Sequence, residues 1–368
     1  MNISIVNSFD YIFLLLVLTM LLTVGFAVIA AKIGLIDQPG GRKVHARPTP
    51  LIGGVAMYIA LSAIVFGFGL LHIIPAAVLV AMGVLVAVGV FDDRFGTHVY
   101  YRFAAQIIAA LILVFWGGVR VDSLGNLLGL GAMDLGWFSV PFTVFAIVGF
   151  INAFNMLDGL DGLATSIGLV IIAAIGLLAY HAGQADLLLA AIMLATLLFG
   201  FSLFNYRFPW RRQAIVFMGD AGSNSIGLMI AWLAITLLAR PNHELVPMSI
   251  LWLLGFPVLD FLGVMWKRKR QGKSAFDPGR DHCHHELQRA GFGVNATVLT
   301  MAGMTALCSG TAVLSGLQPI PEPMLFAHFI AAAVLVYYLV TRLSSWTRPI
   351  RHLFTNASSQ PHIAEGEG

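Results

Sequence analysis

Asp92, Asp93, Asp158, Asp161 and Asp220 each fall where a long apolar stretch begins or ends. A carboxylate beside hydrocarbon is energetically expensive, so five at such borders point to a shared purpose. In INAFNMLDGLDGLA, Asn155, Asp158 and Asp161 recur every third residue, and Gly159 and Gly162 allow close backbone approach. Amide and carboxylate oxygens together suit a hard cation, magnesium or manganese rather than zinc. Asp161 equally suits the N-cap of the helix that follows. Asp92 and Asp93 close a stretch in GVFDDRFG, where one could bind while the other orients. Carboxylates favour a helix N-terminus over a C-terminus, so a pair that ends a helix needs a further reason, and Arg94 compensates only in part. Asp220 opens a stretch in VFMGDAGSNSIG, and Gly219, Gly222 and Ser223 at a helix N-terminus would cradle phosphate oxygens. Phe217, just before it, either faces lipid or offers a platform to a flat ring.

Basic and imidazole groups accompany these acids. RDHCHHELQRAG gathers Arg280, Asp281, His282, Cys283, His284 and His285, after the run KRKRQGK that contains Arg268. Zinc would need a second Cys/His pair, which the sequence lacks, whereas imidazoles and Arg280 near carboxylates suit phosphate. GRKVHARPTPLIGG supplies Arg42, Lys43, His45 and Arg47, either for phosphate or simply as a topology determinant. Asp260 sits about six residues inside an apolar stretch, a functional candidate with no partner that the sequence can name. Cys308, within another stretch, reads as a small apolar filler.

The elements that must position these residues follow from composition. Hydrophobic residues make up 58% and charged residues 11% of 368, with a mean hydropathy of +0.86, against about 25% charged in a soluble domain. Apolar stretches near 11–31, 51–71, 75–91, 103–119, 139–155, 163–181, 187–205, 221–239, 248–266, 296–316 and 324–341 approach the roughly 20 residues that a membrane helix needs. The expectation is an all-α, polytopic membrane protein of about eleven transmembrane helices. The first stretch has no Lys or Arg before it, so it reads as retained rather than cleaved. With the N-terminus periplasmic, 19 of the 21 Lys and Arg fall on one side, leaving Arg120 and Arg240 on the other. The positive-inside rule then makes that side, with the five acids and the C-terminus, cytoplasmic. A transmembrane domain over 1–343 would carry site loops near 32–50, 92–102, 155–162, 206–220 and 267–295, and a polar tail over 344–368 reads as disordered. The pI near 9.0 suits anionic lipid or phosphorylated substrates. No nucleic-acid module is recognisable.

RPTPLIGG, FDD, NAFNMLDGLDG, FMGDAGS and HCHH, in this order over about 37–293, resemble the polyprenyl-phosphate N-acetylhexosamine-1-phosphate transferases. The His-x-His-His form and DDRFG are most similar to the bacterial N-acetylglucosaminyl branch rather than the muramyl-pentapeptide branch. The resemblance implies transfer of N-acetylglucosamine 1-phosphate from UDP-N-acetylglucosamine to undecaprenyl phosphate, as the lipid-linked first step of an envelope polysaccharide. It implies Mg²⁺ or Mn²⁺ as cofactor, a bacterial inner membrane with the site on its cytoplasmic face, and a possible homodimer. By match of position, Asp220 and Asn155 would hold the metal, and Asp92 and Asp93 would handle the lipid phosphate. His282 would act at the pyrophosphate, Phe217 would stack on uracil, and Asn205 would lie near the nucleoside. Lys43, Arg102, Asp158, Asp161, Arg268, Arg280, His284 and His285 would complete the substrate site. Related enzymes often carry Lys where this chain has Tyr100, and Arg102 is then the candidate to supply the charge. The alternatives are another UDP-N-acetylhexosamine or, from a different class, an ion-coupled transporter using Asp260. The transporter would need acids spread through the spans and internal symmetry, and the sequence shows neither.

Overall fold

The computed structural model describes residues 5–38, 47–240, 245–274 and 279–347. α1 (Ile5–Ile33) leads to a two-stranded antiparallel ribbon, β1 (Ile36–Asp37) with β2 (Thr49–Pro50). Then come α2 (Gly53–Gly67), α3 (Ala76–Phe95), α4 (Val99–Phe115), α5 (Ser139–Asn155), α6 (Leu163–His181), α7 (Ala185–Asn205) and α8 (Gly219–Ala239). α9 (Pro247–Leu253), α10 (Gly255–Arg270), the short α11 (Cys283–Arg289), α12 (Val294–Leu317) and α13 (Glu322–Thr347) complete the chain. Helix is the form these sequences must take in hydrocarbon, where every backbone N–H and C=O has to be satisfied within its own segment.

Among the described residues, eight helices are long and apolar enough to cross a membrane, and the bent pair α9–α10 makes a ninth. α2 and α4, at 15 and 17 residues, fall short of full crossing length. The span expected as one piece over 248–266 is instead broken, its halves meeting at 78°. Pro257 gives the reason: it has no N–H to donate to the Leu253 carbonyl, and its ring collides with that carbonyl in a continuous helix. At the other end, α13 continues to Thr347, past the tail boundary expected at 344.

α8 is the central post. Along it only Asp220, Thr236, Leu238 and Ala239 escape full burial. It runs against α2, α3 and α5, and glycines permit the close crossings. A Cβ on Gly89 of α3 would lie 2.4 Å from the Ala221 backbone, and one on Gly54 of α2 would lie 2.3 Å from the Gly222 nitrogen. Small residues at such contacts let membrane helices approach backbone to backbone. The Gly89 crossing lies one turn before Asp93, so it sets the end of α3 beside the beginning of α8.

Candidate active site

The α3–α8 crossing resolves the anomaly of an acid pair at a helix C-terminus. Asp93 lies at the N-terminus of α8, where its Oδ1 accepts from the Asp220 N–H at 3.0 Å and its Oδ2 from the Ala221 N–H at 3.4 Å. The carboxylate thus meets the positive end of a neighbouring helix dipole. Gly219 has φ +71°, and its missing Cβ leaves room for Asp93 Oδ2. The phosphate cradle expected at this N-terminus is therefore already occupied by a carboxyl group of the chain itself. Gly222 packs on Gly54, and Ser223 donates to the Gly219 carbonyl at 3.1 Å.

Asp92 turns the other way, accepting from the Thr97 N–H at 2.6 Å. The Arg102 Nη1 of α4 joins Asp92 Oδ2 at 3.1 Å to Asp220 Oδ2 at 2.7 Å. Asn155, ending α5, donates to Asp220 Oδ1 at 2.9 Å and to Ser223 at 2.7 Å. Four helix ends are thereby tied at one carboxylate. Tyr100, the position where Lys was anticipated, is 76% exposed, and Arg102 occupies the cluster in its stead.

The DGLDG loop is braced from behind. Asp161 does not cap α6, whose N-cap is Gly162. Its Oδ2 instead accepts from Arg207 Nε at 2.6 Å and from the Ala214 N–H at 3.0 Å, closing the base of the 207–214 turn. Asn205 serves as a strut: its Oδ1 accepts from the Gly162 N–H at 2.9 Å and Thr165 at 3.2 Å, while its Nδ2 donates to the Val216 carbonyl at 3.0 Å. Phe217 is pinned by its backbone, donating to Pro50 at 2.8 Å and accepting from Gly53 at 3.2 Å, so the ribbon and α2 present its ring.

Asp158 has no such partner among the hydrogen bonds of the described residues. Burial, then the neighbouring charges of Asp220, Asp93 and Asp161, push its carboxyl up to about 7. In the unfolded chain it would ionise near 3.8, so between these values the folded state holds the extra proton, and the contribution of Asp158 to stability falls as pH rises. In thermal unfolding of the metal-free protein, this one contribution is expected to appear as a difference: Asp158→Asn should gain Tm relative to the wild type as pH rises from 4 to 7. A Tm difference that stays constant over this range would count against this origin.

The histidine segment closes the opposite side. Asp260 of α10, 1% exposed, finds its partners here: Oδ2 lies 2.7 Å from His282 Nδ1, and Oδ1 accepts from the Cys283 N–H at 2.8 Å. This intramembrane acid is thus the anchor of α11. His284 is buried against Gly159 of the DGLDG loop, where a Cβ would lie 2.7 Å from its Nε2. Burial, with the charges of His285 and His282, depresses the His284 pKa. Burial, His282, Arg289 and Arg280 lower that of His285 to about 4. Both shifts favour the neutral ring, which can donate or accept a hydrogen bond. Burial and then Asp260 push up the pKa of Cys283, which removes it as a ready thiolate ligand. Arg268, 3% exposed, pairs with Asp281 at 3.3 Å, an ion pair between α10 and the residues just before α11.

Between these walls lies a cleft of about 610 Å³. Of the expected residues, Asp93, Asn155, Asp158, Asp161, Asn205, Phe217, Asp220, Arg280 and His285 line it. Asp92, Arg102, His282, His284 and Arg268 are not among the residues that line it. Lys43 lies outside the described residues. Asp37, Arg207 and Gln288 line the cleft unforeseen; Arg207, two residues beyond Asn205, was legible only as part of a basic loop. Among the described residues, no three His, Cys, Asp or Glu side chains group as a metal-ligand set. Mg²⁺ does not require one, since it binds through one or two carboxylates together with substrate phosphates and water. The carboxylate of Asp220 and the Oδ1 of Asn155, with Asp93 and Asp158 lining the same cleft, offer the oxygen donors that suit it.

The glycosyl transferase family 4 profile matches residues 75–238, the segment from α3 through α8 that ties the acid cluster together. Undecaprenyl-phosphate alpha-N-acetylglucosaminyl 1-phosphate transferase of Escherichia coli O157:H7 is 34% identical over 345 residues, 92% of this chain and 93% of its own. This chain belongs to glycosyl transferase family 4. The similarly described proteins of Yersinia pestis and Haemophilus influenzae are 34% and 33% identical, covering 91% and 88% of this chain and 92% of each of theirs. Membership accounts for the ordered motifs, and the family segment holds every side chain of the Asp92–Arg102–Asp220–Asn155 cluster. The histidine segment and Arg280 lie outside it, reaching the same cleft from beyond α10.

Proposed function

We propose that this family 4 member transfers N-acetylglucosamine 1-phosphate from UDP-N-acetylglucosamine to undecaprenyl phosphate, releasing UMP. The observation that carries the reading is the meeting of Asp92, Arg102, Asn155 and Asp220 at the ends of four apolar helices, beside a cleft lined by Phe217 and Arg280. A site at the end of membrane helices can take one substrate from the lipid and the other from water. The basic asymmetry supports eleven crossings, with α2, α4 and the bent pair included, a periplasmic N-terminus, and the cleft on the cytoplasmic face of the inner membrane.

The lipid phosphate oxygen attacks the β-phosphorus of the UDP-sugar, and the bond to the UMP oxygen breaks. A phosphate monoester has its second pKa near 6, so the nucleophile is largely ionised at pH 7 and needs little general-base help. That agrees with Asp93 being engaged by the α8 N-terminus. Asp93 and Asp92 position the helix ends, and Arg102 offsets negative charge beside Asp220. Phe217 offers its ring to uracil, and Arg280 and His285 face the diphosphate and sugar. Mg²⁺, held by Asp220 and Asn155, would neutralise diphosphate charge in a transfer that depends chiefly on positioning and electrostatics.

The test is UMP release by the purified protein in lipid nanodiscs, with Mg²⁺, undecaprenyl phosphate and a panel of UDP-sugars. Release is expected with UDP-N-acetylglucosamine, dependent on both lipid and Mg²⁺. Silence with every UDP-sugar would defeat the enzyme reading and return the transporter. UMP stoichiometric with protein in the absence of lipid would replace direct displacement by a covalent aspartyl-phosphate route.

A further inference from the structure

One turn deeper in the membrane than the acid cluster lies a second polar layer. Gln106 of α4, Asn152 of α5 and Asn224 of α8 are 3%, 7% and 6% exposed. Gln106 Nε2 donates to Asn224 Oδ1 at 2.9 Å and lies 3.4 Å from Asn152 Oδ1, while Asn152 Nδ2 donates to Gln106 Oε1 at 2.7 Å. The remaining donors reach backbone carbonyls, Asn152 to Val148 at 2.8 Å and Asn224 to Asp220 at 2.7 Å. Every polar atom of the three amides therefore has a partner.

The placement follows the site above it. Gln106 is four residues after Arg102, Asn152 three before Asn155, and Asn224 four after Asp220. With a rise of about 1.5 Å per residue, each amide sits roughly 4.5–6 Å below a cluster side chain on the same face of the same helix. Apolar packing alone lets helices rotate or slide with little penalty, because lipid is as apolar as Leu. Directional hydrogen bonds in hydrocarbon do not, and a buried amide can set register at a cost in stability.

We infer that Gln106, Asn152 and Asn224 form a positioning layer that fixes the rotation and depth of α4, α5 and α8, and so aims Arg102, Asn155 and Asp220 at one point. The inference rests on the reading of those three as site residues. Like other groups that support a metal site from behind, each amide acts through its neighbour.

The test compares Gln106→Leu, Asn224→Leu and the triple Leu variant of 106, 152 and 224 with the wild type in nanodiscs. Two readouts are taken on the same samples: kcat for UMP release, and the rise in Tm on titrating Mg²⁺. Single variants leave buried amides unpartnered and should lose Tm, whereas the triple variant leaves none and should recover it. If the layer positions, kcat falls about 10–100-fold in all three variants and the Mg²⁺ midpoint moves upward in all three, including the re-stabilised triple. A triple variant with wild-type kcat and Mg²⁺ midpoint would overturn the inference and leave the layer as mere polar satisfaction. Failure of the wild type to release UMP would defeat the proposed reaction instead, and the Mg²⁺ midpoint would still decide the positioning role.

Discussion

Asp220→Asn is expected to lower kcat by roughly 10²–10³-fold, the scale set by losing one preorganised electrostatic contact in a desolvated site, with little loss of folded protein. Asp220 Oδ2 takes the Arg102 guanidinium at 2.7 Å and Oδ1 the Asn155 amide at 2.9 Å. An isosteric amide keeps the volume but removes the charge that Arg102 answers, and it weakens any hold on a hard cation. The cap on α8 survives, because Asp93 bonds to the backbone N–H groups of residues 220 and 221 rather than to the Asp220 side chain. UMP release measured against Mg²⁺ concentration, with Tm as control, checks this. Near-normal turnover would remove Asp220 from the site.

Gly89→Ala should damage the same site from a distance. The added methyl would lie 2.4 Å from the Ala221 N and Cα, atoms of a helix backbone that cannot yield as a side-chain tip can. Overpacking of this kind costs about 1–3 kcal/mol. The only relief is separation of α3 from α8, which draws Asp92 and Asp93 away from Arg102 and Asp220. A lower Tm together with lost UMP release is the expected outcome. Gly149→Ala, on α5 with nothing within 4 Å of its Cβ position, is the control and should leave both unchanged. Equal behaviour of the two variants would mean that the α3–α8 crossing does not set the site.

Much of the design was visible in the residue order. Apolar length announces helices because hydrocarbon leaves the backbone no other partner, and acids at the ends of those helices stand out against a chain with 11% charged residues. The motifs single out Asp220, Asn155 and Phe217, and all three line the cleft. Pro257 was also in plain view, yet the break it causes was smoothed into one span because hydropathy averages over the window in which a single proline acts.

What the residue order could not reveal is who answers whom. Asp93 finds its amides 127 residues downstream, Asp161 its arginine 46 residues on, and Asp260 its histidine after a helix end and a loop. Each is a local excess of charge whose partner comes from a distant part of the chain, and only packing brings the two together. The same holds for the phosphate cradle at α8, which looks open along the chain but is filled by Asp93 in space. By itself, then, the sequence determined that the protein is a membrane bundle with acids at its borders, because solvent polarity acts on each segment separately. The tertiary structure decided which of those acids cap a helix, which brace a loop and which line the cleft, because a carboxylate's role is set by the nearest donor, and the nearest donor belongs to a different part of the chain.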